Sequence, residues 1–299
     1  MPAPICLFMY KRPDHGRQTI DSLRANALAG ESDLFVFCDG AKTHQDEASV
    51  HEVRRLARTI TGFRQVTIIE RPTNLGLAQS IISGVIEVVS KYGRAVVVEE
   101  DLITSPFFLK FLNDGLDTYR DDAEVASIHG YLVPIRRPVP DTFFLRGADC
   151  WGWATWQRAW KHFEADGSKL LAELKTRRLE REFDPYGAIG RARMLRGQIN
   201  GLNDSWAIRW HASAFLRNML TLYPGRSLVQ NIGFGRSATH CTGADMWRVS
   251  LFGGADSGSA DTDQRAPRRQ GCHHDSTPQA ETSLSHAQHH QQVRARAGQ

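Results

Sequence analysis

Four short apolar runs, residues 4–9, 33–38, 66–69 and 95–98, alternate with segments of helical periodicity over residues 4–119. That alternation constrains the chain more than any other feature. The run Ala95-Val96-Val97-Val98 is apolar at every position. Such runs read as strands buried on both faces, the kind found in parallel sheets covered by helices. Between them, 14–28 places Ile20, Leu23 and Leu28 on one side, and 45–60 repeats Val53, Leu56 and Ile60 at three- and four-residue steps. Segment 77–92 is rich in Ile and Val, and 106–119 carries Phe107, Phe108, Phe111, Leu112 and Leu116 as an inner face. Strand alternating with helix predicts an α/β fold with a doubly wound, mostly parallel sheet.

The fourth run ends abruptly in Glu99-Glu100-Asp101. Open α/β sheets bind ligands outside the C-terminal ends of their strands. Three adjacent carboxylates repel one another there, and a divalent cation carrying a phosphorylated ligand would hold them close. The alternative is a solvated acidic turn ahead of a helix, with Ser105 as N-cap and Pro106 at the first helical position. Three further features follow successive strands: Tyr10-Lys11-Arg12-Pro13, Asp39-Gly40, and Asn74-Leu75-Gly76-Leu77-Ala78 after an Arg71-Pro72 turn. Each alone is an ordinary turn or cap sequence. Together they predict one pocket, with Asp39 accepting from base or ribose groups. Lys11, Arg12 and helix N-termini are its phosphate donors.

After residues 125–128, a further strand, the pattern changes. Residues 130–165 are rich in Pro, Gly and aromatics and include Cys150-Trp151-Gly152-Trp153-Ala154-Thr155-Trp156. Flat indoles suit the C–H faces of sugars, but large aromatics also dominate cores. The expectation places Trp151 or Trp153 at the site and buries Trp156 and Trp160 on a helix. A charged helix is expected over 169–182, another helix over 204–220, and a short strand within 229–234. Residues 253–299 contain no Phe, Tyr or Trp. They cannot bury enough surface to offset ordering entropy, which predicts a disordered tail whose histidines, such as His273 and His274, have no fixed partner. The expected division is 1–129 as a ligand-binding half, 130–251 as the second half of the same domain, and 252–299 as tail.

A chain of 299 residues has room for one large domain or two small ones. A net charge of +4, with no Lys/Arg stripe interleaved with aromatics, argues against a nucleic-acid partner. A mildly basic surface favours phosphorylated ligands and leaves room for peripheral contact with an anionic membrane. Five cysteines form no CxxC pair and no zinc spacing. Cys6 and Cys38 read as buried thiols, and reducing cytoplasm is the expected setting. No apolar run approaches the roughly 20 residues that span a bilayer, and the N-terminus shows no signal-peptide pattern.

The Tyr-Lys-Arg-Pro after the opening strand, the Cys-Asp-Gly at 38–40 and the Asn-Leu-Gly-Leu-Ala at 74–78 resemble family 2 glycosyltransferases of the A-type fold. Segment 96–112 is similar to the N-acetylglucosaminyltransferase I-like enzymes, whose Glu-Asp-Asp-Leu motif precedes a Pro and a Phe-rich helix. The resemblance covers roughly residues 4–242. It implies the Rossmann-like nucleotide-diphospho-sugar transferase fold. It also implies metal-dependent, inverting transfer of a hexosyl or N-acetylhexosaminyl group. The donor would be a nucleotide diphosphate sugar, a UDP-sugar foremost, and the acceptor a hydroxyl of a glycan or lipid-linked molecule.

The same resemblance implies that Asp101 ligates Mn²⁺ or Mg²⁺ and that Glu99 and Glu100 contact sugar and ribose. Glu100 stands where the family often has Asp. Tyr10, Lys11, Arg12, Asp39, Asn74, Gly76 and Trp153 complete the implied donor site. In Gly201-Leu202-Asn203-Asp204-Ser205-Trp206 the general base falls on Asp204. The relatives often carry two acidic residues before the Trp, and here the second is Ser205. The other reading of Asp204 is a helix N-cap. Within 231–240, His240 is implied as a second metal ligand, or else as a surface histidine, and Arg236 as a diphosphate contact. Two other classes stay open. One is a non-catalytic nucleotide- or sugar-binding module. The other is a sugar nucleotidyltransferase, which would need a Gly-rich basic loop after the first strand, where this chain has only Gly16 nearby.

Overall fold

In a computed structural model, residues 1–135, 137–187, 189–234 and 247–253 are described. The first half runs β1 (Ile5–Met9), α1 (Pro13–Arg24), β2 (Asp33–Cys38), α2 (Glu47–Ala57), β3 (Gln65–Glu70), α3 (Leu77–Tyr92) and β4 (Arg94–Glu99). Then come β5 (Leu102–Thr104), α4 (Phe108–Thr118), β6 (Val125–His129), β7 (Thr142–Arg146), β8 (Trp153–Trp156) and α5 (Gln157–Trp160). The chain continues through α6 (Gly167–Thr176), α7 (Glu180–Phe183), α8 (Arg191–Ile199), α9 (Trp206–Leu216), β9 (Leu220–Pro224) and β10 (Val229–Asn231).

Eight strands form one sheet in the order β3-β2-β1-β4-β8-β6-β9-β7. The β3–β2, β2–β1, β1–β4 and β6–β9 pairs are parallel, and β4–β8, β8–β6 and β9–β7 are antiparallel. Six strands therefore run one way, and β7 and β8 oppose them. The fold is α/β with a mostly parallel sheet. Alternation along each strand divides the core between two faces. Ile5, Leu7, Val96 and Val98 pack under α1, α2 and α4 with Leu23, Val53 and Leu112. Cys6, Phe8, Ala95 and Val97 pack under α3 and α9 with Ile81, Val85 and Trp210. Full burial at β1 and at the centre of β4 is why these runs carry no polar alternation.

Several expectations are corrected. No helix follows the acidic triplet directly: β5 comes first and pairs antiparallel with β10. The helix beyond it begins at Phe108, and Ser105 sits in the preceding turn, accepting from the Phe107 N–H at 3.2 Å and donating to the Phe252 carbonyl at 2.6 Å. Trp156 lies on β8 rather than on a helix, buried toward α4, where its Nε1–H donates to the Leu116 carbonyl at 3.2 Å. The charged helix over 169–182 is two, α6 and α7, parted where Arg178 takes φ +56°. The helix over 204–220 stops at Leu216, and Asn218 at φ +54° turns the chain into β9. Among the described residues no helix is long and apolar enough to cross a membrane.

Candidate active site

Parallel pairing brings the C-terminal ends of β3, β2, β1 and β4 to one sheet edge. The loops leaving them carry Tyr10, Lys11, Arg12, Asp39, Asn74, Gly76, Glu99, Glu100 and Asp101, so the fold collects these residues along one rim. They are not equivalent once there.

Asp39 is buried and its carboxylate is filled from within the chain. Oδ1 accepts from the N–H of Gly40 (2.9 Å) and of Leu75 (2.9 Å). Oδ2 accepts from the Gly76 N–H (3.0 Å) and the Asn74 side-chain amide (3.1 Å), which also donates to the Gly40 carbonyl at 2.8 Å. Four donors match the lone-pair capacity of a carboxylate. Asp39 therefore shapes the loop ahead of α3, and the expected acceptor for base or ribose groups is already engaged. Gly76 caps that helix at φ +75°, a left-handed conformation that a side chain would strain.

Tyr10 and Lys11 turn away from the triplet toward the loop after β2. The Tyr10 hydroxyl donates to Asp46 Oδ2 at 3.0 Å and Lys11 Nζ to Asp46 Oδ1 at 2.7 Å. Lys11, then Thr43, draw the Asp46 carboxyl down to about 2. Asp46 was no part of the sequence expectation, because its role depends on a contact 35 residues away from Lys11.

Arg12 is the basic residue that faces the triplet, with Nη1 3.3 Å from Asp101 Oδ2. Glu100 closes the loop after β1: its Oε2 accepts the Tyr10 N–H at 2.7 Å, and the Arg12 backbone also donates to it. That engagement is a second difference from the expected ribose contact. Burial, then repulsion from Asp101 and Glu100, pushes the Glu99 carboxyl up to about 8. Burial likewise pushes Glu100 to about 7, against the pull of its N–H donors. Asp101 is raised too, by burial, although Arg12 and His15 oppose it. β10 presses on this end, since the Ile232 N–H donates to the Asp101 carbonyl at 2.8 Å. A Cβ on Gly233 would overlap the Asp101 carboxylate as it lies, so the loop after β10 packs directly on that side chain.

Among the described residues no three His, Cys, Asp or Glu side chains form a ready-made metal cage. What the triplet offers a hard cation is one partly exposed carboxylate, Asp101, with Glu99 beside it. That donor set fits a cation that brings most of its oxygen ligands with it as phosphate and water. His240 and Arg236 lie outside the described residues.

The tryptophans separate cleanly. Trp153 is fully buried, stacked on Trp206 at 5.5 Å and tilted against Trp160 and Trp210. It is a core residue, which corrects its placement at the donor site: its position on β8 points it at α9. Trp151 is half-buried and meets Tyr131, Phe234 and Trp247 edge-on. Phe234 follows the glycine that lies on Asp101, so Trp151 stands beside the loop that covers the acidic end. Trp160, on α5, is buried as expected.

Asp204 reaches the same edge by another route. Trp153 opens β8 opposite Val97, two residues before Glu99, and Trp206 of α9 stacks on it. The N-terminus of α9 therefore lies toward the C-terminal edge of β4. The N-cap is Ser205, whose hydroxyl accepts from the Ile208 N–H at 3.2 Å. Asp204 is left outside the cap, its side chain 69% exposed, with Oδ1 accepting from Arg209 Nη2 at 3.1 Å.

A second ionisable cluster escaped the sequence reading. Tyr223 donates to Asp149 Oδ2 at 2.6 Å, and the His129 ring lies 5.1 Å from that of Tyr223. Although burial opposes it, interactions with His129, His211, Arg191 and the Tyr223 hydroxyl hold the Asp149 carboxyl below its usual range. Burial pushes His129 down to about 4 and His211 to about 3. Cys150, between this cluster and the triplet, is held as a thiol by burial and by Glu99 and Asp149. The available signal was an acidic residue just before Cys150-Trp151.

The fold and this edge define a mixed α/β protein with an acidic rim at the C-terminal ends of its parallel strands. No protein-family model and no curated protein matches the sequence. Among solved structures, the chain is similar to a mannosyltransferase, PcManGT from Pyrobaculum calidifontis, in complex with GDP-Man and Mn²⁺. The identity is 15% and the TM-score 0.31, over 46% of this chain and 38% of that one. It is also similar to S. aureus TarS, at 15% identity and TM-score 0.32 over 50% of this chain and 25% of TarS. For TarS 1-349 the values are 13% and 0.33, over 50% and 42%. The chain thus spans well under half the length of each, and a TM-score at this level does not define a shared fold. The functional reading rests on the residues of the rim.

Proposed function

We propose that the protein is a glycosyltransferase that moves a sugar from a nucleotide diphosphate sugar to a hydroxyl acceptor, with inversion at the anomeric carbon. The observation that carries this reading is the crowded carboxylate triplet at the end of β4, facing Arg12 across the rim. The Asp39–Asn74–Gly76 loop supplies a pre-formed wall at the end of β2. Arg12 and the N-termini of α1 and α3 offer positive charge to a diphosphate. Asp101 is the carboxylate assigned to Mn²⁺ or Mg²⁺, and a cation there supplies Lewis-acid stabilisation of the departing diphosphate. Asp204 accepts the proton of the acceptor hydroxyl as its oxygen attacks the anomeric carbon. The bond from that carbon to the diphosphate oxygen breaks, and its electron pair leaves with the diphosphate. Trp151 is the indole assigned to the sugar face.

UDP-sugars, hexosyl or N-acetylhexosaminyl, are the favoured donors, and a glycan or lipid-linked hydroxyl the acceptor. Residues 1–129 take the donor side and 130–251 the acceptor side. A reducing, cytoplasmic setting belongs to the same reading, supported by the free thiols Cys6, Cys38 and Cys150. The competing reading is a binding module without chemistry. Thermal-shift titration with UDP, GDP, CDP and TDP, each with and without Mn²⁺, tests the donor site. A metal-dependent rise in Tm with one nucleotide, together with slow hydrolysis of its sugar conjugate, supports the transferase. A rise without hydrolysis supports the binding module, and no rise with any nucleotide removes both.

A further inference from the structure

One stretch of the second half carries a local excess of positive charge. Residues 175–202 hold seven basic side chains (Lys175, Arg177, Arg178, Arg181, and Arg191, Arg193 and Arg196 of α8) and only three acidic ones. This excess equals the net charge of the whole chain, +4, so the remaining 30 Lys and Arg balance the remaining 30 Asp and Glu.

The acidic residues of the segment are engaged in the structure. Glu180 pairs with Arg196 at 3.2 Å and Glu182 with Arg146 at 3.0 Å. Asp184 is buried and accepts the N–H groups of Ile189, Gly190 and Ala192. Glu180, Arg181, Asp184, Arg193 and Arg196 line an open depression of about 580 Å³.

The same segment exposes large apolar side chains: Ile189 at 57%, Met194 at 46% and Leu202 at 81%. The 100° helical step puts Arg193 at the middle of the outer face of α8, opposite buried Leu195, with Arg196 to one side and Met194 to the other. Leu202 completes that face, since its N–H donates to the Gly197 carbonyl at 2.8 Å and its Cβ lies against Gly197. Apolar tips set among arginines on one face match the interface of an anionic bilayer, where rings and aliphatic tips enter the headgroup layer and basic groups meet lipid phosphates.

We propose that this face, built on α8 and its flanking turns, seats the protein on an anionic lipid surface. The face borders Asp204: Asn203 donates to the Met194 carbonyl at 3.2 Å, and the Ser205 hydroxyl to Met194 Sδ at 3.7 Å. A lipid-linked acceptor held in that surface therefore arrives beside the proposed base. This last consequence rests on the proposed function, whereas the surface contact does not.

Co-sedimentation of the full chain with phosphatidylcholine vesicles, with and without about 30 mol % phosphatidylglycerol, tests the proposal. The expected result is binding to the anionic vesicles only, lost at high salt. The R193A/R196A variant is expected to bind about 25-fold more weakly, at roughly 5-fold for each basic contact. The I189S/L202S variant is expected to bind on the order of 10-fold more weakly. All four side chains are exposed or partly exposed, and an unchanged Tm for each variant shows that the fold is intact. Equal binding to neutral vesicles, no binding to either, or wild-type binding by both variants overturns the proposal. UDP-induced thermal shifts on the same samples report the donor site separately, so failure of one reading leaves the other's result legible.

Discussion

At the end of β4 three carboxylates crowd the Arg12 guanidinium, whereas behind β6 and β9 one carboxylate, Asp149, is shared by Tyr223, two histidines and Arg191. The first cluster holds an excess of like charge, and its members bind protons more tightly than they would in water. The second balances its charge internally: Asp149 stays ionised, and the imidazoles stay neutral. A buried group whose charge is unmatched is relieved by something from outside, and one whose partners are present has no such need. The contrast separates a rim of unmatched charge at the end of β4 from a polar core that fixes the second half of the sheet.

Asp101→Asn should produce the largest effect and the clearest break. Nucleotide affinity in the presence of Mn²⁺ should fall on the order of 100-fold, about 2.8 kcal/mol. Tm without ligand should hold or rise, because a repelling charge is gone. Asp149→Asn should do the reverse. Losing the charge-assisted hydrogen bond from Tyr223 and the counter-charge to Arg191 should cost about 2 kcal/mol in urea unfolding, with nucleotide affinity largely kept. If both variants lost affinity equally, or both lost stability equally, the two clusters would not be different in kind.

Acidity sharpens the comparison, because the clusters respond with opposite sign. His129 and His211 fall from an ordinary value near 6.5 to about 4 and about 3. The unfolded chain therefore binds more protons below pH about 6.5, and stability is lost as pH falls toward the folded values. Glu99 and Glu100 are raised, so there the folded chain binds more protons and stability is lost as pH rises from about 4.5 toward 7 and 8. His129→Asn should flatten the acid-side loss, and Glu99→Gln should steepen it. Unfolding curves at several pH values between about 5 and 7 measure both slopes, and parallel changes in the two variants would contradict the assignment.

The legible part of this molecule is the part whose side chains repeat. Leu77–Tyr92 and Asp33–Cys38 lie where helical periodicity and a short apolar run place them, because one uniform environment covers each face. Trp153–Trp156 shows no strand pattern in the sequence, since its aromatics face two different cores and look like a loop's. α9 is buried on nearly every side, so no apolar stripe marked its end, and only Asn218 signalled the turn into β9. At the rim, local sequence placed the acidic residues correctly but not their partners. Nothing near Asp39 indicates that three of its four donors come from residues 74–76, and nothing near Lys11 points to Asp46.

The smallest expected effect is at the C-terminus, and it tests where the folded chain ends. Residues 247–253 are tied to the frame. The Trp247 carbonyl accepts from the Tyr131 hydroxyl at 2.9 Å, and the Val249 N–H donates to Gln230 Oε1 at 2.7 Å. The Phe252 N–H donates to the Ser227 carbonyl at 3.0 Å, its ring lies 5.5 Å from that of Phe107, and the Arg226 guanidinium sits over it. Beyond residue 253 the composition, poor in apolar side chains, predicts no added core contact. A chain ending at residue 253 should melt within about 1 °C of the full chain, whereas one ending at 246 should lose the contacts of Phe252 and melt several degrees lower. Equal Tm values for the two truncations would show that the 247–253 strap contributes nothing. A drop already at 253 would show that the charged, histidine-rich tail packs after all.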